Sequence, residues 1–178
     1  MKSKSIFELI HEVLEKNKVP AVLIGGFAVN AHKYSRQTVD IDFLITDEDY
    51  DRIAADFKNM GFGEVDRQKL CARLQAPFPH SWKVDIVFAD KDTTEKIMKE
   101  GKEVKISGVI FKIPSLPHLI ALKLHAIKQE PRRELKDLQD IVELIRNNKM
   151  DIRTSGFRDL CLRHGNERLY NMIVQYSG

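Results

Sequence analysis

The sequence predicts an α+β fold, a mixed sheet with flanking helices followed by a helical C-terminal part. Three observations carry this reading. Short β-branched and apolar runs alternate with amphipathic stretches between residues 21 and 113. From Ser115 onward the apolar residues recur only at helical spacing. The change falls at Pro114 as a shift of composition, with no flexible linker between the two parts. The 178 residues therefore divide into a core over 1–114 and a helical subdomain over 115–178, expected to pack on that core.

Residues 5–17 read as a helix, with Ser5 and Glu8 in a capping-box pattern and Ile6, Ile10, Val13 and Leu14 on one stripe. Pro20 ends it. Ala21–Ile24 is a short buried strand that breaks at Gly25-Gly26 and leads to a short helix over 27–34. Residues 39–45, Val-Asp-Ile-Asp-Phe-Leu-Ile, form a second strand. Thr46 caps a helix over 47–60 that stops at Gly61. Residues 68–75 and 82–88 alternate as strands around a loop holding Pro77 and Pro79, and a helix follows at 92–100. Residues 103–106 and 109–113 flank Ser107-Gly108 as a hairpin with a tight turn. Helical periods then run over 116–129, 132–148 and 154–175.

Composition narrows the function classes. Apolar residues make up 43% and charged residues 31%, so an ordinary core and a well-solvated surface are both expected. A net charge of +3 is far weaker than a nucleic-acid coat requires. Cys71 and Cys161 sit in no metal-binding or redox pattern, which fits a cytoplasmic protein. The amphipathic N-terminal stretch carries Glu8, Glu12 and Glu15, unlike a signal peptide, and no run of eighteen apolar residues suggests a membrane span. The histidines show no zinc spacing, and Trp82 reads as core or a pocket wall.

The chemistry lies between residues 21 and 45. Side chains two apart on a strand share a face, with Cα atoms about 6.6 Å apart. Asp40 and Asp42 therefore face one way, and Val39, Ile41 and Phe43 the other. Two carboxylates at 4 Å repel by about 4 kcal/mol at an effective dielectric near 20, so a positive partner is expected. Hard oxygen ligands suit Mg²⁺ or Mn²⁺, and Mg²⁺ commonly completes its shell with substrate phosphates. Gly25 and Gly26, at a strand-to-helix turn, let the backbone approach a phosphate. Asp85, between Val84 and Ile86 in an apolar strand, is the candidate third ligand of a two-metal site. Asp90 stands beside Lys91 and Asp92 at the strand end, where a solvated acid needs no special account.

Gly25-Gly26, then thirteen residues, then Asp40-Ile41-Asp42-Phe43 and a later single Asp resemble the nucleotidyltransferase superfamily of the polymerase-beta type. The run from Arg36 to Phe43 is similar to AbiEii toxin-type and related minimal nucleotidyltransferases. So are Leu122-Lys123 and the later Lys136-Asp137-Leu138-Gln139-Asp140, and the resemblance spans residues 20–146. It implies that Asp40, Asp42 and Asp85 bind metal and that Asp85 helps to activate the attacking hydroxyl. It also implies that Gly25 and Gly26 shape the triphosphate pocket and that Lys123 contacts the phosphates or the developing charge. Arg36 is read either as a phosphate ligand or as a cap on the preceding helix. Gly26 departs from the common Gly-Ser pattern, and Lys136 stands where Arg is common, losing a bidentate fork.

The expected partners are an NTP and an acceptor hydroxyl on tRNA, a protein or a small molecule, with an antitoxin or a second copy as a macromolecular partner. Two rival readings stand beside this one. The first is a catalytically silent nucleotide- or partner-binding module of a toxin–antitoxin system. The second is a sugar transferase with an Asp-x-Asp motif, disfavoured by the short segment before Gly25-Gly26 and by the helical motif. Asp137 and Asp140 are expected to act as surface partners of Arg132, Arg133 and Lys136 at least as much as in catalysis.

Overall fold

A computed structural model of the chain describes residues 4–178; the first three residues of the expected 1–114 core lie outside them. The chain forms two compact units. One comprises the described residues through Ala28 and Gln37–Pro114, the other Val29–Arg36 and Ser115–Gly178.

The first unit is built on a seven-stranded sheet of order β3-β4-β5-β2-β1-β7-β6. Its strands are β1 (Val22–Leu23), β2 (Asp40–Ile45), β3 (Gly63–Gln68), β4 (Cys71–Gln75), β5 (Lys83–Phe88), β6 (Lys102–Ile106) and β7 (Val109–Ile113). β2 runs parallel to β5 and β1 parallel to β7, while every other pairing is antiparallel, so the sheet is mixed as expected. The unit also holds α1 (Ile6–Asn17), α3 (Asp47–Asn59) and α4 (Lys91–Glu100). Ser5 closes both halves of its capping box with Glu8. Thr46 accepts the amide of Asp49 at the start of α3. Asp90 does the same for Thr93 at the start of α4, which gives that acid a capping role. Phe7 of α1 meets Phe111 edge-on with ring centres 6.0 Å apart, and Phe111 meets Phe43 of β2 at 5.5 Å. These aromatic contacts fix the apolar side of β2 against α1.

Two sequence expectations change in this unit. Val39 lies outside β2 and is 70% exposed, so the apolar face begins at Ile41. The expected single strand over 68–75 is the second arm of a hairpin, β3 and β4, joined at Lys69-Leu70. β3 is an edge strand exposed along its whole length, so it lacks the apolar alternation by which strands are recognised. The β6–β7 hairpin forms as expected, with positive φ at Ser107 (49°) and Gly108 (90°) in its two-residue turn.

α2 (Gly25–Ala31) starts at the glycine pair itself rather than after it, and the chain passes between the units within this helix. The second unit holds α5 (Leu116–Gln129), a 3₁₀ turn at Pro131–Arg133, α6 (Glu134–Asn148), α7 (Ser155–His164) and α8 (Glu167–Ser177). Ile120, Leu124, Ile127, Ile141, Ile145, Phe157, Cys161, Leu169 and Ile173 close its core. The helix expected over 154–175 is broken into α7 and α8. At Gly165 an added Cβ would fall 3.0 Å from the Cys161 carbonyl oxygen and 3.1 Å from Leu124, and Asn166 then caps α8 through the amide of Leu169. The close approach of Gly165 and the capping side chain of Asn166 together turn the chain back on itself.

Candidate active site

Strand register assembles the site. β5 lies beside β2 in parallel with Asp85 opposite Asp42, and Lys83 opposite Asp40. Residues opposite one another share a face, so Asp40, Asp42 and Asp85 rise from the same side of the sheet. One oxygen from each lies within 4.8 Å of the other two. Among the described residues this is the one group of three His, Cys, Asp or Glu side chains placed to hold a metal ion. All three are half-buried, close enough to chelate and open enough to admit a substrate.

The elements around them fix each carboxylate. The Thr38 hydroxyl donates to Asp40 Oδ1 at 3.3 Å, which gives the small hydroxyl residue of the Arg-x-Thr-x-Asp pattern a positioning role. The Ile24 amide donates to the Asp42 carbonyl at 2.8 Å, tying the end of β1 to the middle of β2. Gly25, at φ +61°, then passes so close that an added Cβ would sit 1.9 Å from Asp42 Oδ2. Both the left-handed backbone and this contact require glycine. Phe27 of α2 packs on Trp82 with ring centres 5.9 Å apart, so Trp82 forms a half-buried wall beside the glycine pair.

Arg73 is a participant that sequence reasoning missed. It stands opposite Asp85 on β4. Its Nε donates to Asp85 Oδ1 at 2.6 Å and its Nη2 to Oδ2 at 3.0 Å, a bidentate fork. The hydrogen bond and charge of Asp85 push the Arg73 pKa up, so it is a fixed cation. The alternation of Ala72 and Leu74 with Cys71, Arg73 and Gln75 was the available signal, but the register that sets Arg73 against Asp85 is a tertiary fact.

In the helical unit, Lys123 and Arg36 meet carboxylates. Lys123, 5% exposed, donates to Asp137 at 2.8 Å and lies 2.6 Å from Asp140. Arg36 forks onto both oxygens of Asp140 at 2.7 Å each, and Arg133 pairs with Asp137 at 2.8 Å. Asp137 and Asp140 are buried, at 0% and 1% exposure, rather than on the surface as expected. Burial of Asp140 opposes its ionisation, but the Arg36 hydrogen bond and the charges of Lys123 and Arg36 outweigh it and hold its pKa below the ordinary range. Arg36 also anchors its own backbone, through hydrogen bonds at 3.0 Å with the Asn30 side chain.

The mixed sheet thus sets an Asp-x-Asp strand beside a third acidic strand, next to a helix that starts on glycine. The chain belongs to the family described as "Uncharacterised nucleotidyltransferase", whose model matches residues 4–177, and it is thereby a nucleotidyltransferase. No curated protein matches the sequence. Among solved structures the chain is similar to ANT(2")-Ia in complex with adenylyl-2"-tobramycin. The TM-score is 0.58 at 14% identity, covering 96% of this chain and 94% of that one. It is similar to the lincosamide antibiotic adenylyltransferase LnuA bound to lincomycin, with TM-score 0.54, 17% identity and coverage of 80% and 98%. It is also similar to the Thermotoga maritima CCA-adding enzyme complexed with tRNA, with TM-score 0.51, 15% identity and coverage of 96% and 41%. These likenesses establish the fold. No helix is long and apolar enough to cross a membrane among the described residues.

Two outcomes follow from this geometry. Gly25→Ala is expected to cost about 1–2 kcal/mol in urea unfolding and about a hundredfold or more in nucleotidyl transfer, because Asp42 must move. Gly156→Ala, where an added Cβ meets nothing within 4 Å, is the neutral control; equal behaviour of the two variants would contradict the requirement for glycine at position 25. The second outcome concerns pH. A carboxylate whose folded pKa is depressed contributes stability that is present above its unfolded value near 4 and is lost as pH falls through the folded value. The urea midpoint should therefore fall on acidification below about pH 4, and Asp140→Asn should make that acid limb shallower. Parallel acid limbs would remove Asp140 from the account.

Proposed function

We propose that the protein transfers a nucleoside monophosphate from an NTP to a hydroxyl acceptor, with Asp40, Asp42 and Asp85 holding Mg²⁺ or Mn²⁺. The single observation that carries this reading is the convergence of three carboxylates within 4.8 Å on one face of the sheet. The donor set fits the ion, since three hard oxygens suit Mg²⁺ or Mn²⁺, and the cluster needs positive charge to offset its own repulsion. When bound, the metal supplies charge neutralisation at the transferring phosphate.

The residues of the chain do the rest. Gly25 and Gly26 bring backbone close to Asp42 and offer their amides to the triphosphate. Asp85 accepts the proton of the acceptor hydroxyl as its oxygen bonds to the α-phosphorus. The bond from that phosphorus to the pyrophosphate oxygen breaks, and pyrophosphate leaves. Asp40 and Asp42 would hold the ion against the reacting phosphate, so positioning and electrostatics carry the rate. Arg36 and Lys123 have their charges committed to buried carboxylates in the helical unit. We therefore assign them to holding the helical unit, with the phosphate contacts left to the glycine pair.

The acceptor is a hydroxyl on a small molecule, a tRNA or a protein; structurally similar enzymes bind molecules of the first two classes. The motif over residues 36–43, with Lys123 and 136–140, supports the narrower placement among AbiEii-type proteins, in the cytoplasm and with an antitoxin or a second copy as partner. A catalytically silent module is the second reading, favoured by one observation, the occupation of Asp85 by Arg73.

Incubation with labelled NTPs, Mg²⁺ and panels of the three acceptor classes separates these readings. The wild type is expected to label one class, and Asp42→Asn to lower the rate at least about a thousandfold. Label transfer that survives Asp42→Asn would remove the metal assignment, and nucleotide binding without any transfer would establish the silent module.

A further inference from the structure

Four side chains form one transverse row across the sheet. Asp66 of β3 stands opposite Arg73 of β4, Arg73 opposite Asp85 of β5, and Asp85 opposite Asp42 of β2. Within this row Arg73 takes both oxygens of Asp85. A carboxylate has about four lone-pair sites, and a fork of this kind uses two of them. Arg73 also neutralises one of the three negative charges that the triad offers a cation.

From this we infer that Arg73 competes with a divalent cation for Asp85, making Asp85 a switched ligand and Arg73 the positioning residue that sets the affinity of the second of two cation positions. The inference rests on the metal reading of the triad given above. With the fork closed, Asp40 and Asp42 still present two carboxylates on one strand, enough for one ion alongside substrate phosphates. Asp85 has its charge and one edge already committed. The fork thereby lowers what Asp85 can offer a second cation until Arg73 releases it.

The surroundings allow this movement. The Arg73 side chain is 51% exposed and that of Asp85 20%, so the fork opens toward solvent without exposing core. Asp66, the next residue in the row, is a carboxylate opposite Arg73 and able to receive the released guanidinium. The pair is also replaceable without loss of fold, because Ala72 and Leu74, on the other face of β4, are what the core buries. The site is thereby protected from holding excess divalent charge before substrate arrives, and Asp85 is kept oriented toward Asp42 while it waits.

The test is Mn²⁺ binding to the full chain, followed by electron paramagnetic resonance and calorimetry, with and without a non-hydrolysable ATP. Wild type is expected to show a tighter and a weaker class of ion. Arg73→Gln, which removes the charge, should tighten the weaker class about tenfold and leave the tighter one unchanged. Arg73→Lys, which keeps the charge but loses the fork, should fall between them. Asp85→Asn should abolish the weaker class only. Unfolding curves for each variant confirm that the fold is retained. If Arg73→Gln binds the second ion no better than wild type, or worse, the competition is refuted while the metal reading stands. If wild type binds no Mn²⁺ in either condition, the metal reading fails and this inference falls with it.

Discussion

The parallel register of β2 and β5 is the constraint on which the rest depends. It places Asp42 directly opposite Asp85 and so forces like charges together on a half-buried surface. Such a pairing is unfavourable in any sheet unless something positive compensates it. The fold supports the register from the opposite face. Ile41 and Phe43 are buried beneath the carboxylates, and Phe43 is locked to Phe111 and, through it, to Phe7. A slip of one residue would exchange the two faces of β2, placing carboxylates in the core and Phe43 in solvent. Core packing thus holds the acidic residues in an arrangement that their own electrostatics oppose. Arg73 provides part of the compensation within the chain.

The helical unit carries its own electrostatic constraint. Two aspartates one helical turn apart on α6 are buried and shared among Lys123, Arg36 and Arg133. Breaking such a buried network by removing one partner commonly costs about 3–5 kcal/mol, because a buried charge is left uncompensated. A buried ionic network of this kind is weak evidence for added stability; here it ties down Arg36, which leads in the chain to the strand that carries Asp40 and Asp42. Arg36 stands four residues before Asp40 in the chain, and Thr38 between them donates to Asp40. The Arg-x-Thr-x-Asp run therefore has a physical reading at each of its three positions.

How much of this was legible in the sequence can be judged residue by residue. Asp40, Asp42 and Asp85 were readable because the two-residue period of a strand fixes which face a side chain takes, and an acid in an apolar run needs a reason. The fork between Arg73 and Asp85 was not readable, since register between separate strands is decided by the whole sheet. β3 was hidden by its edge position, where solvent on both faces removes the hydrophobic alternation. The burial of Asp137 and Asp140 was hidden for a related reason. Their neighbours Arg132, Arg133 and Lys136 suggested surface pairing, whereas the burying partner, Lys123, lies on another helix. The break between α7 and α8 was announced by Gly165-Asn166, a C-terminal glycine followed by a capping residue, but the helical period continued across it.

A nucleotidyltransferase fold here carries an acidic cluster whose charge is managed in part by the chain itself. The central claim is that Asp40, Asp42 and Asp85 hold a divalent ion together. Crystals grown with Mn²⁺ and a non-hydrolysable ATP, measured at the manganese absorption edge, test this most directly. The account predicts anomalous density bounded by oxygens of these three aspartates, and its absence in crystals of Asp42→Asn. Density elsewhere, or a nucleotide bound with its phosphates away from the three carboxylates, would contradict it.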